Sequence, residues 1–464
     1  MEVYDILEDQ EDLTVIEDNQ EEEFSATILS TVFNVSNNVV GAGMLSLPWC
    51  LKEASVLEGY VLLVGIGILS GLSMVLLAIC CEITQCFTFK SLGENTLGPT
   101  FGMLMQSCMF VYTFFSCVSF LILAGDFYSE HSGIAQGLCD SDSCDTLLYR
   151  IFSNRFNAIL CLTLVILLPL SCLKNLNALR FTSLLSIVGM LYILGLVIFT
   201  YIHPPDSAQD VHIHWYEPTW GVFSAAPIIN VSFIAHYNVP RFYQEMHDRT
   251  IKKFATAIFI ALALCGSVYL GISTFGYLTF GSHVSDNVLK NMDNDNKGAI
   301  VGRLAMSAVV LFTYPLAFNS LRGSAISLFE TLLPTVRFAS NKNFYLLTVA
   351  LVGLTFIPGS QLKHIGIVLD YKGATLGGLI GFAFGALIFL AAISPGSIPQ
   401  CCLSQRDSCD GQDDHLVLRR YSSLNMTLLS GRQYMAWKNV AFSFFIWALV
   451  SGVMGVIVTT AKLL

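Results

Sequence analysis

Apolar residues run through this 464-residue chain in long blocks, many near the 20 residues that a helix needs to cross a bilayer. The blocks lie at roughly 25–50, 57–82, 101–127, 157–173, 179–202, 220–240, 254–280, 299–320, 343–360, 373–394 and 436–461. Polar segments separate them, the longest being residues 395–435. Runs this long with so few charges predict membrane spans rather than the one-sided apolar stripes of a soluble bundle. The pattern gives an all-α membrane protein with about 11 transmembrane helices.

Composition agrees with the pattern. Hydrophobic residues make up 54% of the chain and charged residues 12%. Soluble domains carry about 25% charged residues, so most of this surface must face something other than water. The net charge of −10 is local, because the first 23 residues hold eleven Asp and Glu and no Lys or Arg, leaving +1 for the remainder. Residues 1–23 thus read as an acidic, disordered cytosolic tail before a membrane domain at 24–464. The tail lacks the basic and apolar regions of a signal peptide.

Eleven spans put the two termini on opposite sides. With the N-terminus in the cytosol, fifteen of the 24 Lys and Arg fall inside, as the positive-inside rule favours. Cys139 and Cys144 then flank Asp-Ser-Asp-Ser in an external or lumenal loop, where an oxidising compartment would join them in a disulfide. Two free thiols are the plainer alternative. Most of the other cysteines fall in or beside spans, where they act as small apolar residues.

Two spans are irregular. The first reads Phe33-Asn-Val-Ser-Asn-Asn-Val-Val-Gly-Ala-Gly-Met-Leu-Ser-Leu-Pro48, with Asn34, Asn37, Asn38, Gly41 and Gly43 in one membrane helix. Polar side chains at that depth face a bundle interior or a wet cavity. Gly41 and Gly43 let the chain leave helical geometry, and exposed backbone groups are tolerated in a membrane only where they line a cavity or meet a ligand. Close helix packing is the competing explanation of the glycines, though it accounts less well for the clustered Asn. The sixth span carries Pro227, Asn230, Ser232 and His236, then Asn238 and Pro240, where a new turn can start. His236 is the only histidine placed within a span, and its position in the second irregular helix marks it as a candidate functional residue. Irregular spans one and six are five apart, the spacing of an inverted repeat.

Several ordered motifs carry a family resemblance over residues 25–460: Asn34 through Pro48, Leu168-Pro-Leu-Ser-Cys-Leu-Lys-Asn-Leu-Asn-Ala-Leu-Arg180, Gly276-Tyr-Leu-Thr-Phe-Gly281 with Ser285-Asp-Asn-Val-Leu289, and Arg303 through Leu321-Arg322. The chain resembles the amino acid/auxin permease family, most closely its sodium-coupled neutral and vacuolar amino acid transporters. The resemblance implies a LeuT-like fold: a 5+5 inverted repeat of spans 1–5 and 6–10 plus one extra helix at 436–461. It places substrate between spans one and six, against Asn38, Val39, Gly41, Ala42 and Gly43, with Asn230, Ser232 and Phe233 opposite and His236 nearby. Asn37 and Thr313 match the positions that support a Na⁺ site in sodium-coupled members, with the Val40 carbonyl as a third ligand. Span six departs from relatives that read His-Pro, because here Tyr237 follows His236.

The expected function is secondary active transport of neutral or cationic amino acids, coupled to Na⁺ or H⁺, by alternating access. An amino acid sensor on the same fold is the alternative. The expected protein is a monomer in the plasma membrane or a vacuolar or lysosomal membrane. It binds no nucleic acid and needs no cofactor beyond a coupling ion. Nothing points to an enzyme, since no nucleophile–base pair or metal-ligand cluster shares a depth.

Overall fold

The computed structural model describes residues 26–128, 151–173, 182–205, 211–293, 296–332, 341–393 and 431–463. The acidic tail and the Cys139–Cys144 pair lie outside the described residues. Within them the chain is helical apart from short connections and one isolated β-bridge.

Helix α1, Ile28–Val39, starts where the Thr27 hydroxyl accepts the Ser30 N–H at 3.2 Å. It stops at Val40 and Gly41, both in extended conformation. A 3₁₀ turn at Ala42–Ser46 leads into α2, Leu47–Ala54, with Pro48 in its first turn where the missing N–H costs nothing. The two halves are bent by 54°. Then come α3 (Val56–Thr84), the short α4 (Phe89–Leu97) and α5 (Pro99–Tyr128). Next are α6 (Arg155–Ser171) and α7 (Thr182–Ile202). The sixth expected span is α8 (Val222–Ser232), a break, and α9 (Val239–Glu245) with Pro240 in its first turn. The chain continues through α10 (Ile251–Phe280), α11 (Lys297–Leu332), α12 (Asn341–Gln361), α13 (Ile365–Ala392) and α14 (Gly431–Leu463).

Among the described residues nine helices are long and apolar enough to cross a membrane, and the bent pair α1–α2 makes a tenth. The expected fourth span is α6, an apolar helix too short to join that set. Its π turn at Thr163–Leu167 shortens it further. Burial separates centre from rim. The most apolar window of α8–α9 is 78% buried and that of α14 only 22%, so the interrupted span is central and α14 faces lipid.

Hydropathy starts the tenth span too late. Helix α13 begins at Ile365, eight residues before the expected 373, and runs through two π turns at Gly373–Gly377 and Leu379–Ala383 without breaking. Asp370 and Lys372 therefore lie inside a span rather than in the connection before residue 373. The two charges had masked the apolar run Ile365–Leu369 as a loop.

The two broken spans run antiparallel and cross at their breaks. At one end the chain entering α1 pairs with the chain leaving α9, Ala26 N–H to Glu245 O at 3.1 Å and His247 N–H to Ala26 O at 3.0 Å. At the other, the end of α2 meets the start of α8, where Thr219 Oγ1 donates to Glu53 O at 2.9 Å.

A buried ion cluster ties that second end together. The Asp126 carboxylate at the end of α5 meets Arg155 Nη1 at 2.7 Å and Lys290 Nζ at 3.0 Å. Lys290 also reaches Asp286 at 3.2 Å, whose other oxygen accepts the Gly366 N–H at 3.2 Å. Ser46 Oγ donates to Asp286 O at 2.6 Å, and Arg155 donates to Leu362 O at 3.0 Å. Five segments are thus tied around one carboxylate that is 4% exposed. Asp126→Ala leaves Arg155 without its anion and Lys290 with Asp286 alone, and breaking a buried pair this way costs about 3–5 kcal/mol. We expect a lower midpoint of thermal unfolding in detergent, and an unchanged midpoint would show that the cluster carries no stability.

Candidate functional site

The breaks in α1 and α8 come from residue choice. A Cβ on Gly43 would fall on the Ser232 side chain, so a glycine is what lets the two chains cross in contact. The crossing leaves carbonyls at both half-helix ends, and Tyr269 of α10 serves them together. Its buried hydroxyl lies 3.0 Å from Val39 O and 3.2 Å from Ser232 O. One O–H shared between two carbonyls relieves both at a depth where water is scarce.

Beside the crossing is a cavity of about 310 Å³, the volume class of a small-ligand site. Asn37, Asn38, Val39, Val40, Gly41, Ala42 and Gly43 form one wall. Opposite them are Ser232 and Tyr237 of the second break, Tyr112, Ser116 and Ser119 of α5, Thr313 of α11, and Lys372 of α13. Toward the end where α1 begins, the lining is Asn34, Arg241, Phe242 and Glu245. Arg241 pairs with Glu245 at 2.6 Å while 72% of its side chain stays exposed, so the cavity reaches the surface there. The Asp126 cluster lies at the opposite end of the fold.

The structure brings most of the sequence-selected residues to this cavity and leaves three away from it. Asn37, Asn38, Val39, Val40, Gly41, Ala42, Gly43, Ser232 and Thr313 all line it. Asn230, Phe233 and His236 do not. Asn230 sits against α13, where a methyl group on Gly377 or Gly381 would meet its amide at 3.1 and 3.7 Å. Phe233 packs on the Tyr269 ring, centroids 5.3 Å apart. His236 is fully buried, edge-on to Phe382 at 6.0 Å and beside Gly381. A regular helix turns about 100° per residue, so Asn230 and Ser232 could never share a face. Spacing alone could have separated them.

Missed by the sequence reading were Tyr112, Ser116 and Ser119, and above all Lys372. The first three recur at turn spacing along α5, a signal that the hydroxyls of any apolar helix also give. Lys372 was lost with the misplaced start of α13.

The cavity surface is rich in unanswered oxygen. Asn37 Oδ1, Asn38 Oδ1 and Thr313 Oγ1 are buried without a hydrogen-bond partner. Buried polar atoms of this kind are rare and call for a ligand, an ion or water. Among the described residues no group of three His, Cys, Asp or Glu could hold a metal ion, and beside the crossing, away from Glu245 at the mouth, the oxygens lining the cavity are neutral.

Residues 25–408 match the model of a family described as transmembrane amino acid transporter protein. Amino acid transporter AVT6B of Arabidopsis thaliana is 26% identical over 387 residues, covering 79% of this chain and 82% of its own length. Sodium-coupled neutral amino acid transporter 7 of Danio rerio is 28% identical over 292 residues, 62% of each chain. Vacuolar amino acid transporter 5 of Schizosaccharomyces pombe is 26% identical over 396 residues, 85% of this chain and 89% of its own.

Two substitutions test the crossing. Gly43→Leu drives a side chain into Ser232 and should abolish ligand binding while the protein still inserts, read by ligand-induced thermal shift against surface expression. Retained binding would mean that the close approach is dispensable. Tyr269→Phe strips the shared donor from two buried carbonyls and should cost about 1–3 kcal/mol, read as a lower unfolding midpoint.

Proposed function

The chain belongs to the transmembrane amino acid transporter family, and we propose that it is a secondary active transporter that carries an amino acid through the cavity between its two broken spans. The family is one of transporters, not enzymes, and it works without a cofactor. The chain is a multi-pass membrane protein. The observation that carries the mechanistic reading is the crossing itself: two interrupted helices leave backbone and side-chain polar groups around a cavity of amino-acid size.

In this reading the backbone N–H groups opening the turn at Ala42–Ser46 receive the substrate carboxylate. The first N–H groups of a helical segment have no acceptor of their own and carry the positive end of its dipole. The oxygens of Asn37 and Thr313, with the Val40 carbonyl, suit Na⁺, a hard cation that oxygen donors can hold without a carboxylate. One relative is sodium-coupled by name, which supports Na⁺ as the coupling ion, and H⁺ is the other carrier in this reading. With the N-terminus cytosolic, as the basic residues favour, the cavity opens toward the cytosol and the Asp126 cluster seals the external or lumenal end. Alternating access then consists of closing α1 and α9 over the substrate and releasing that cluster. The two groups of five spans, 1–5 and 6–10, act as the opposed halves of an inverted repeat, with α14 at their edge.

Proteoliposomes loaded to hold a Na⁺ or a pH gradient separately should accumulate labelled amino acid under one of the two. Thr313→Ala should then raise the half-saturating concentration of the coupling cation about tenfold with a smaller effect on substrate choice. Binding without accumulation under either gradient would favour a sensor. An unchanged Na⁺ requirement in Thr313→Ala, where Na⁺ drives uptake, would move the ion site elsewhere.

A further inference from the structure

Lys372 is a charged residue deep in the cavity that neither the helix crossing nor the ion site uses. It lies two turns into α13, is 6% exposed, and lines the cavity. Its ammonium donates to Ser116 Oγ at 3.0 Å and sits 4.5 Å from the centroid of the Tyr112 ring. Both partners also line the cavity, so the amine is held at the wall rather than folded away from it. Among the described residues no carboxylate is within ion-pair distance. Asp370, two residues earlier, is about 200° round the helix, where its Oδ2 accepts from Ser224 at 2.8 Å and from Thr459 at 2.5 Å. The other two charges on the lining, Arg241 and Glu245, neutralise each other at the mouth.

Among the described residues the inner cavity thus carries one basic side chain with no carboxylate beside it. An ammonium inside a membrane is costly unless it meets water or an anion. When the cavity closes around a ligand, water leaves, and the interaction between Lys372 and that ligand strengthens as the local dielectric falls. A cationic side chain beside it is repelled. An anionic or carbonyl-bearing side chain supplies the acceptor that neither Ser116 nor a ring face replaces.

We infer that Lys372 is a specificity-determining residue: it meets the side chain of the carried amino acid, admits those ending in a carboxylate or carboxamide oxygen, and excludes those ending in a cation. This rests on the transport reading above and narrows the neutral-or-cationic cargo expected from sequence to its neutral part, extended toward acidic side chains.

The test uses labelled glutamate, glutamine and lysine, which are close in length and differ in side-chain charge, in proteoliposomes of the full chain. Wild type should take up glutamine and glutamate at least tenfold faster than lysine at equal low concentration. Lys372→Gln should reduce the glutamate-to-lysine ratio at least tenfold, and Lys372→Arg should keep it. Wild-type uptake of lysine equal to that of glutamine overturns the inference and needs no variant to be made. An equal fall for all three substrates in Lys372→Gln also overturns it, because the residue would then hold a group common to every amino acid. Absence of uptake for all three in wild type overturns the transport reading, and the inference falls with it.

Discussion

A helix that stops inside a membrane leaves backbone groups with no water to satisfy them, and this fold is organised around two such stops. The carbonyls of Val39 and Ser232 end their half-helices within reach of one tyrosine hydroxyl, Tyr269. Gly43 lets the chains pass closely enough for that sharing. The outer ends of the four half-helices are then joined in pairs, Ala26 to Glu245 and Glu53 to Thr219. Each broken span is therefore held at its middle and at both ends by the other. A rigid crossing of this kind can present polar groups to a ligand without letting the surrounding bundle unravel.

The two ends of the crossing differ in how they handle charge. One is closed by Asp126, Arg155, Lys290 and Asp286, where every charge has an opposite partner and several carbonyls and N–H groups complete the set. The other is an open mouth lined by a surface ion pair, Arg241–Glu245, worth little in water. The structure therefore has a strong closure at one end and a weak one at the other. Helix α13 carries a similar contrast along its own circumference. Asp370 is hydrogen-bonded into the packing between α8 and α14, and Lys372 is turned into the cavity. Two opposite charges two residues apart thus serve separate surroundings.

The position of nearly every span, the interruptions at Gly41–Gly43 and before Pro240, and the cluster of Asn in α1 were legible in the sequence. Hydropathy over 20 residues reports burial in lipid directly, and Gly, Pro and Asn at membrane depth are expensive enough to be informative singly. The family followed from ordered motifs, and the match over residues 25–408 bears it out. Errors arose where charge interrupted an apolar run. Asp370 and Lys372 hid the first two turns of α13, although apolar residues flank them on both sides.

Sequence alone determined which segments enter the membrane and where two of them cannot remain helical, because both depend on side-chain transfer and backbone stereochemistry, which are local. Tertiary structure decided which faces those segments present. Ser232 meets the cavity while Asn230 and His236 turn to α13, since the crossing at Gly43 fixes the rotation of α8 and the break before Val239 resets it. Rotation about a helix axis is set by packing against neighbours distant in the chain, and no local property of α8 or α13 records it.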